Sequence, residues 1–128
     1  LGGTNWTRIE AARRDDAAVF GPFLDWGLPT VDAIRAVRAA CPNDRLIASG
    51  GVRHGLDAAK ALWLGAALVS MAGPVLRALT TDGIQAPDPR SALQAMDRCK
   101  AQLRLALFLT GAPDLAAFAG VPGFIGTR

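Results

Sequence analysis

One stretch of the sequence, residues 46–76, limits the possible folds more than any other. It reads LIASGGVRHGLDAAKALWLGAALVSMAGPVL. An apolar run, a glycine pair, an alanine-rich segment, a second apolar run and a further glycine follow one another. This order is typical of a parallel βαβ unit. We therefore predict strands over 46–49 and 66–71, with a helix over 57–64 between them.

The first glycine turn carries the residues of an anion site. Gly50 and Gly51 follow the first predicted strand directly, and Arg53 comes two residues later. Glycines permit positive φ and let backbone N–H groups approach a ligand closely. The arginine adds a forked cation that suits phosphate oxygens. Ligands of parallel α/β folds bind after the carboxyl ends of the strands, so we predict a phosphate monoester site here and not a solvated surface arginine.

Length, composition and charge exclude several classes of protein. The chain has 128 residues, 51% of them hydrophobic and 20% charged, which predicts one globular, core-rich domain. The formal net charge is +3, and the basic residues are spread along the chain, so we predict no nucleic-acid partner. Cys41 and Cys99 have neither metal-site nor disulfide spacing. They fit a reducing compartment, and we predict a cytoplasmic protein.

No segment of the sequence is typical of a membrane span or a targeting signal. The longest uncharged stretch, residues 61–76, is shorter than the roughly 18–20 residues of a span and contains Gly65, Gly73 and Pro74. We therefore predict no membrane association. The chain begins at Leu1 without methionine or a charged leader, and we expect it to be part of a longer gene product.

The flanking regions predict further helices. Residues 1–4 are predicted to be the end of a strand followed by a glycine turn. Residues 6–20 are predicted to be a loop insertion that contains one or two turns of helix. Thr30 is predicted to cap a helix that stops before Pro42. Asp88 and Pro89 open a long helix with a stripe of Leu93, Met96, Leu103 and Leu107, and Thr110-Gly111 ends it. Short helices are predicted at 75–79 and 114–118, and a turn-rich linker at 80–87.

Several polar and aromatic residues are assigned structural roles. His54, the one histidine of the sequence, is interpreted as a solvent-facing loop residue, and Asp57 as a helix cap. Thr4 suits a turn cap and a ligand contact equally. The tryptophans are interpreted as packing anchors at the ends of elements. They are Trp6, Trp26 and Trp63.

Five motifs, read together, resemble one known family. They are GGTNW at 2–6, WGLPT at 26–30, ASGGVRHGLDAAK at 48–60, MAGP at 71–74 and FLTG at 108–111. The chain resembles the C-terminal third of the type 2, FMN-dependent isopentenyl-diphosphate isomerases. That resemblance implies an α/β fold, the C-terminal part of a TIM (β/α)8 barrel. Residues 1–128 would then be one portion of a single FMN-binding domain, with the end of strand 6, strands 7 and 8 and the closing helices.

The resemblance also assigns cofactor contacts by position. It implies that Thr4 contacts the flavin, that the first turn holds the FMN phosphate, and that the second turn presents backbone N–H groups to the same phosphate. The six implied contacts are Thr4, Gly50, Gly51, Arg53, Ala72 and Gly73. In the family, the catalytic residues, the Mg²⁺ ligand and the substrate-diphosphate contacts lie upstream. We therefore expect no catalytic residue and no metal ligand in this chain.

The activity that the resemblance implies is the interconversion of isopentenyl and dimethylallyl diphosphate, with reduced FMN as acid and base. It implies NADPH and Mg²⁺ as further cofactors, and a homo-oligomer at full length. Two alternatives stay open on the residues alone. One is another FMN-dependent (β/α)8 oxidoreductase, such as a 2-hydroxy-acid oxidase or a dihydroorotate-type enzyme. The other is a phosphate-binding half-barrel without activity of its own.

Overall fold

The computed structural model describes residues 3–80 and 88–124. Within them the chain forms six α-helices, a 3-10 helix and two short strands. In chain order these are α1 (Trp6–Ala11), the 3-10 helix (Ala17–Phe23), α2 (Thr30–Ala40), β1 (Ile47–Ala48), α3 (Gly55–Trp63), β2 (Leu68–Val69), α4 (Gly73–Leu79), α5 (Pro89–Leu109) and α6 (Leu115–Ala119). None of these helices is long and apolar enough to cross a membrane.

The predicted parallel βαβ unit is present. β1 and β2 pair in parallel, with Ile47 opposite Leu68 and Ala48 opposite Val69. Both strands are shorter than the predicted 46–49 and 66–71. Backbone bonds continue on either side of the paired residues, from the N–H of Ala67 to the carbonyl oxygen of Leu46 and from the N–H of Ser70 to that of Ala48, both at 2.8 Å. α3 begins two residues earlier than predicted and ends one residue earlier, at Gly55 and Trp63.

The two faces of this small sheet differ in burial. Ala48 is 3% exposed and packs with Ile34, Ala61 and Ala66 in a core cluster beneath α2 and α3. On the opposite face, Ile47 and Leu68 are 60% and 61% exposed. The helices therefore cover one side of the sheet and leave a pair of large apolar side chains on the other.

A second core cluster joins α3 to the C-terminal helices. Its buried members are Ala59, Ala106, Ala112 and Phe118, and Trp63, Leu103, Leu107, Val121 and Phe124 pack against them. The indole Nε1–H of Trp63 donates to the carbonyl oxygen of Val121 at 2.7 Å. Trp63 therefore has the anchoring role that the sequence predicts, with its polar end satisfied.

Gly55 lies at a close approach between the start of α3 and the middle of α5. A Cβ at this position would overlap the carbonyl oxygen of Cys99 and lie 2.7 Å from the backbone nitrogen of Leu103. The backbone N–H of Gly55 donates to Oε1 of Gln102 at 2.8 Å. The long helix thus satisfies a free donor of the first turn of α3 and holds that turn in place.

Two predicted helix caps are wrong. Thr30 is the first residue of α2 and makes no capping bond, because its hydroxyl donates to the carbonyl oxygen of Gly50 at 2.9 Å instead. Asp57 is not the cap of α3, since Nδ1 of His54 accepts from the backbone N–H of Asp57 at 3.3 Å. His54 is therefore a helix cap and not simply a loop residue.

The C-terminal predictions hold in part. Asp88 caps α5, Pro89 is its first residue, and Gly111 with φ of 70° follows its end at Leu109. Leu103 and Leu107 pack as predicted, but Leu93 and Met96 are 60% and 42% exposed.

The remaining helix and tryptophan predictions have mixed outcomes. The predicted helix at 75–79 begins at Gly73, and α6 follows its cap Asp114. Trp6 and Trp26 are 69% and 76% exposed, so their prediction as packing anchors is wrong within the described chain. The predicted strand end at residue 1 and most of the linker at 80–87 lie outside the described residues.

Candidate functional site

A cavity of about 780 Å³ opens at the carboxyl ends of β1 and β2. Three glycine-containing turns line it: the segment before α1, the turn after β1 and the turn after β2. All six residues that the sequence analysis assigns to the cofactor lie along it. They are Thr4, Gly50, Gly51, Arg53, Ala72 and Gly73.

The turn after β1 has a backbone shape that requires glycine. Gly50 and Gly51 have φ of 93° and 74°, in a region that other residues rarely adopt. The hydroxyl of Thr30 fixes the carbonyl oxygen of Gly50 from the start of α2. A Cβ at Gly3 would lie 3.0 Å from the Cα of Gly50, so two backbone segments meet here without side chains between them.

Arg53 is held at the end of this turn by Asp57. Its backbone N–H and its Nε–H both donate to Oδ2 of Asp57, at 3.1 and 3.4 Å. The Arg53 side chain is 71% exposed, and the Asp57 side chain is only 17% exposed. Neither terminal nitrogen of the Arg53 guanidinium has a partner among the described residues, so both can donate to an anion in the cavity.

The turn after β2 brings a second arginine to the same cavity. Ala72, Gly73 and Pro74 lead into α4, and Arg77 lies one helical turn further on. A Cβ at Gly73 would lie 3.3 Å from Nη1 of Arg77, which places this guanidinium beside the turn.

Arg77 was not predicted as a site residue, although the sequence carries a signal for it. A residue four positions after the first residue of a helix lies on the same face, and its side chain leans towards the helix N-terminus. Ser49 and Ser70 were also missed. Each follows a strand directly and lines the cavity.

Trp6 and His54 have different places relative to the cavity. Trp6, which was predicted to be a packing anchor, lines it and offers an exposed indole at its edge. His54 does not line it, because the imidazole is turned to the start of α3 as a cap. The cavity wall formed by the described residues therefore contains no histidine that could act as a base.

The described residues show no arrangement for a metal ion. No three His, Cys, Asp or Glu side chains come together within residues 3–80 and 88–124.

Bonds from the Ser91 hydroxyl and the Arg90 backbone N–H lower the pKa of Asp88, which caps α5 away from the cavity. Burial raises the pKa of the Cys99 thiol, which keeps it protonated at neutral pH.

The chain is similar in sequence to proteins of known family. Residues 21–120 match the family model of the FMN-dependent dehydrogenases. The chain belongs to this family. The description of this family names a phosphorylated flavin, which agrees with the phosphate site predicted from the glycines and Arg53.

Individual relatives are similar over most of the chain. It is 48% identical over 123 residues to an isopentenyl-diphosphate delta-isomerase of Xanthobacter autotrophicus, covering 94% of this chain and 34% of that protein. It is 48% identical over 118 residues to the protein of that name from Stutzerimonas stutzeri, covering 90% and 32%. A Geobacillus protein of the same name is 51% identical over 86 residues, covering 67% and 24%. The resemblance to these isomerases is confirmed, and the chain spans about a third of the length of the first two.

Proposed function

We propose that this chain supplies the FMN-phosphate site of an FMN-dependent isopentenyl-diphosphate isomerase. One observation carries the proposal: the six residues that match the family's flavin contacts converge on one cavity at the carboxyl ends of two parallel strands. The relatives that match most of the chain bear the name isopentenyl-diphosphate delta-isomerase. Because the chain spans only part of their length, the activity is a proposal for the protein to which it belongs.

The cavity fits a phosphate monoester. Gly50 and Gly51 have the positive φ angles that let successive backbone N–H groups face one anion. Arg53 offers its guanidinium beside them, oriented by Asp57. The backbone N–H groups of Ala72 and Gly73 would approach the same phosphate from the second turn, and Thr4 would face the flavin.

The position of this chain within a barrel is part of the proposal. We take the segment ending at Thr4 as the end of the sixth strand, β1 and β2 as the seventh and eighth strands, and α5 as the closing helix. The exposed pair Ile47 and Leu68 supports this, since the inner face of a barrel is filled by large apolar side chains from several strands. The parallel pairing and the helices on the other face agree with it.

When bound and reduced, FMN supplies the acid and base groups that move a proton between carbons of isopentenyl and dimethylallyl diphosphate. The residues of this chain bind the phosphate tail and thereby fix the depth and direction of the flavin. The proposal places the catalytic residues, the substrate-diphosphate contacts and the Mg²⁺ and NADPH sites in other parts of the intact enzyme. A cytoplasmic homo-oligomer remains our prediction for that enzyme.

The second candidate function is oxidation of a 2-hydroxy acid by an FMN-dependent dehydrogenase. The description of the matching family favours it. Such an oxidation needs a base beside the flavin, and the one histidine of the sequence, His54, is the first candidate for that role. The imidazole of His54 caps α3 and does not line the main cavity, which favours the isomerase.

An assay of the complete gene product separates the two functions. With reduced FMN and Mg²⁺, we expect conversion of isopentenyl to dimethylallyl diphosphate and no oxidation of lactate or glycolate by the oxidised flavoprotein. Heat-treated protein in the same buffer is the control. Oxidation of a 2-hydroxy acid without isomerisation would replace the proposal by the alternative, and a protein that takes up no FMN would refute both.

A further inference from the structure

Asn5 stands in the sequence between two residues that line the cavity of the candidate site, Thr4 and Trp6. It does not line the cavity itself, and it is partly buried. Its side-chain Oδ1 accepts from the backbone N–H of Arg8 at 2.9 Å and so caps α1. Its Nδ2 donates to the carbonyl oxygen of Leu24 at 2.6 Å. One amide therefore fixes the start of α1 and ties it to a segment 19 residues further along the chain.

The segment that accepts this bond is also held at its other end. The hydroxyl of Thr30 donates to the carbonyl oxygen of Gly50 at 2.9 Å. Residues 24–30, which we call the strap, thus run between the segment before α1 and the glycine turn after β1, with a side-chain hydrogen bond at each end. Because the strap is held at Gly50, the bond from Asn5 fixes the segment before α1 relative to the glycine turn.

A second side-chain contact joins α1 to the strap, but it is exposed. Nη2 of Arg8 donates to Oδ1 of Asp25 at 3.1 Å, and these side chains are 62% and 88% exposed. Such an ion pair contributes little, because water competes for both charges. The bond from Asn5 to Leu24 is partly buried, so its loss would leave the carbonyl oxygen poorly satisfied. Asn5 is therefore the stronger of these two links.

We propose that Asn5 is a positioning residue for the flavin, whose bond to the strap sets where Thr4 and Trp6 stand beside the flavin ring. The inference rests on the proposed function, since it takes FMN to fill the cavity. Asn5 acts through its neighbours and not by contact, because it does not line the cavity. Arg53 and the glycines hold the phosphate in the proposed site. Loss of the Asn5 bond should therefore disturb the ring and leave the phosphate contact in place.

The test compares the binding of FMN and of riboflavin, which lacks the phosphate, to the complete gene product. Two variants keep a cap for α1 and remove the bond to the strap. Asn5→Asp replaces the amide donor by an oxygen, and Asn5→Ser keeps a capping hydroxyl that is too short to reach Leu24.

Both variants should bind FMN and riboflavin about threefold to tenfold more weakly, the range for one neutral hydrogen bond, and the factor should be the same for the two flavins. The visible absorption band of bound FMN should also shift relative to that of the parent, which a loss of stability alone does not cause. Arg8→Ala is the matched control. It removes the exposed ion pair between the same two segments, keeps the backbone N–H that Asn5 accepts from, and should change neither affinity nor spectrum.

Three results would overturn the inference. They are parent-like binding of both flavins by the Asn5 variants, loss of FMN affinity with riboflavin affinity unchanged, and equal losses in the Asn5 variants and Arg8→Ala. Failure of the proposed function looks different. A parent that binds FMN but does not isomerise its substrate refutes that function, and the comparison of the Asn5 variants still decides the positioning role. A parent that binds no flavin refutes both.

Discussion

Oδ2 of Asp57 accepts hydrogen bonds from both the backbone N–H and the Nε–H of Arg53, at 3.1 and 3.4 Å. One largely buried carboxylate therefore fixes the end of the glycine turn and the direction of the arginine that follows it. Arg53 lines the cavity, and Asp57 holds it through Nε and not through the terminal nitrogens. Asp57 shapes the candidate phosphate site without contacting the phosphate.

Removal of the Arg53 guanidinium should weaken FMN binding selectively. In the complete gene product we expect Arg53→Ala to cost about 1.5–3 kcal/mol of FMN binding free energy, the range for a hydrogen bond to a charged group. Riboflavin lacks the phosphate and should bind equally well to the variant and the parent. Fluorescence titration with both flavins measures this. If riboflavin is lost to the same degree as FMN, the role of Arg53 is structural.

Asp57 should be a positioning residue whose effect depends on Arg53. We expect Asp57→Ala to weaken FMN binding about tenfold while riboflavin binding changes little, since only the phosphate contact is disturbed. Asp57→Asn keeps an oxygen for the backbone N–H of Arg53 and should recover part of the loss. In a double-mutant cycle, Asp57→Ala should add little to Arg53→Ala. Full additivity of the two losses would contradict the assignment.

The glycine turn should tolerate no side chain at Gly51. Gly51 has φ of 74° and lines the cavity, so Gly51→Val would be strained and would place carbon atoms in the path of the phosphate. Val52 is 7% exposed, and Val52→Ala should reduce stability while flavin binding is retained. The absorbance of bound flavin in the two purified variants compares them. Equal retention would argue against a backbone cradle.

The 128-residue chain expressed alone should neither bind flavin tightly nor isomerise its substrate. It holds the candidate phosphate site but not the other contacts that we propose for the flavin and the substrate diphosphate. Ile47 and Leu68 are more than half exposed on one face of a two-stranded sheet, so we expect self-association. Size-exclusion chromatography with flavin detection, followed by the isomerisation assay, gives the answer. A yellow, active monomer would refute this prediction.

Chain order predicts that the two glycine turns lie together, and the family resemblance adds Thr4 and Ala72; the structure brings all six candidate residues to one cavity, and their contacts with FMN stay a prediction. Strand, glycine turn and helix in parallel folds place Gly50 and Gly73 at one edge of the sheet whatever the details of packing. Arg77 was harder to find because its place depends on where α4 begins. Once the helix is known to start at Gly73, the residue four positions later must lie beside the turn.

The wrong predictions concern competition between neighbouring polar groups. His54 and Asp57 could each cap α3, and only the bonds of Asp57 to Arg53 decide in favour of His54. Threonine is a residue type that often caps helices, but the hydroxyl of Thr30 donates to the carbonyl oxygen of Gly50, which lies 20 residues further along the chain. Strand length depends in the same way on which neighbour a strand has, which local sequence does not reveal.

The bond between Gly55 and Gln102 sets an order of events during synthesis. Gly55 comes directly after the turn that carries Arg53, yet the acceptor for its backbone N–H lies 47 residues further along the chain. Synthesis proceeds from the N-terminus, so the segment with the glycines and Arg53 leaves the ribosome well before the residue that holds it in place. The hydrogen bond from Gly55 to Gln102, which holds the end of the candidate phosphate turn, can therefore form only after most of α5 has been synthesised.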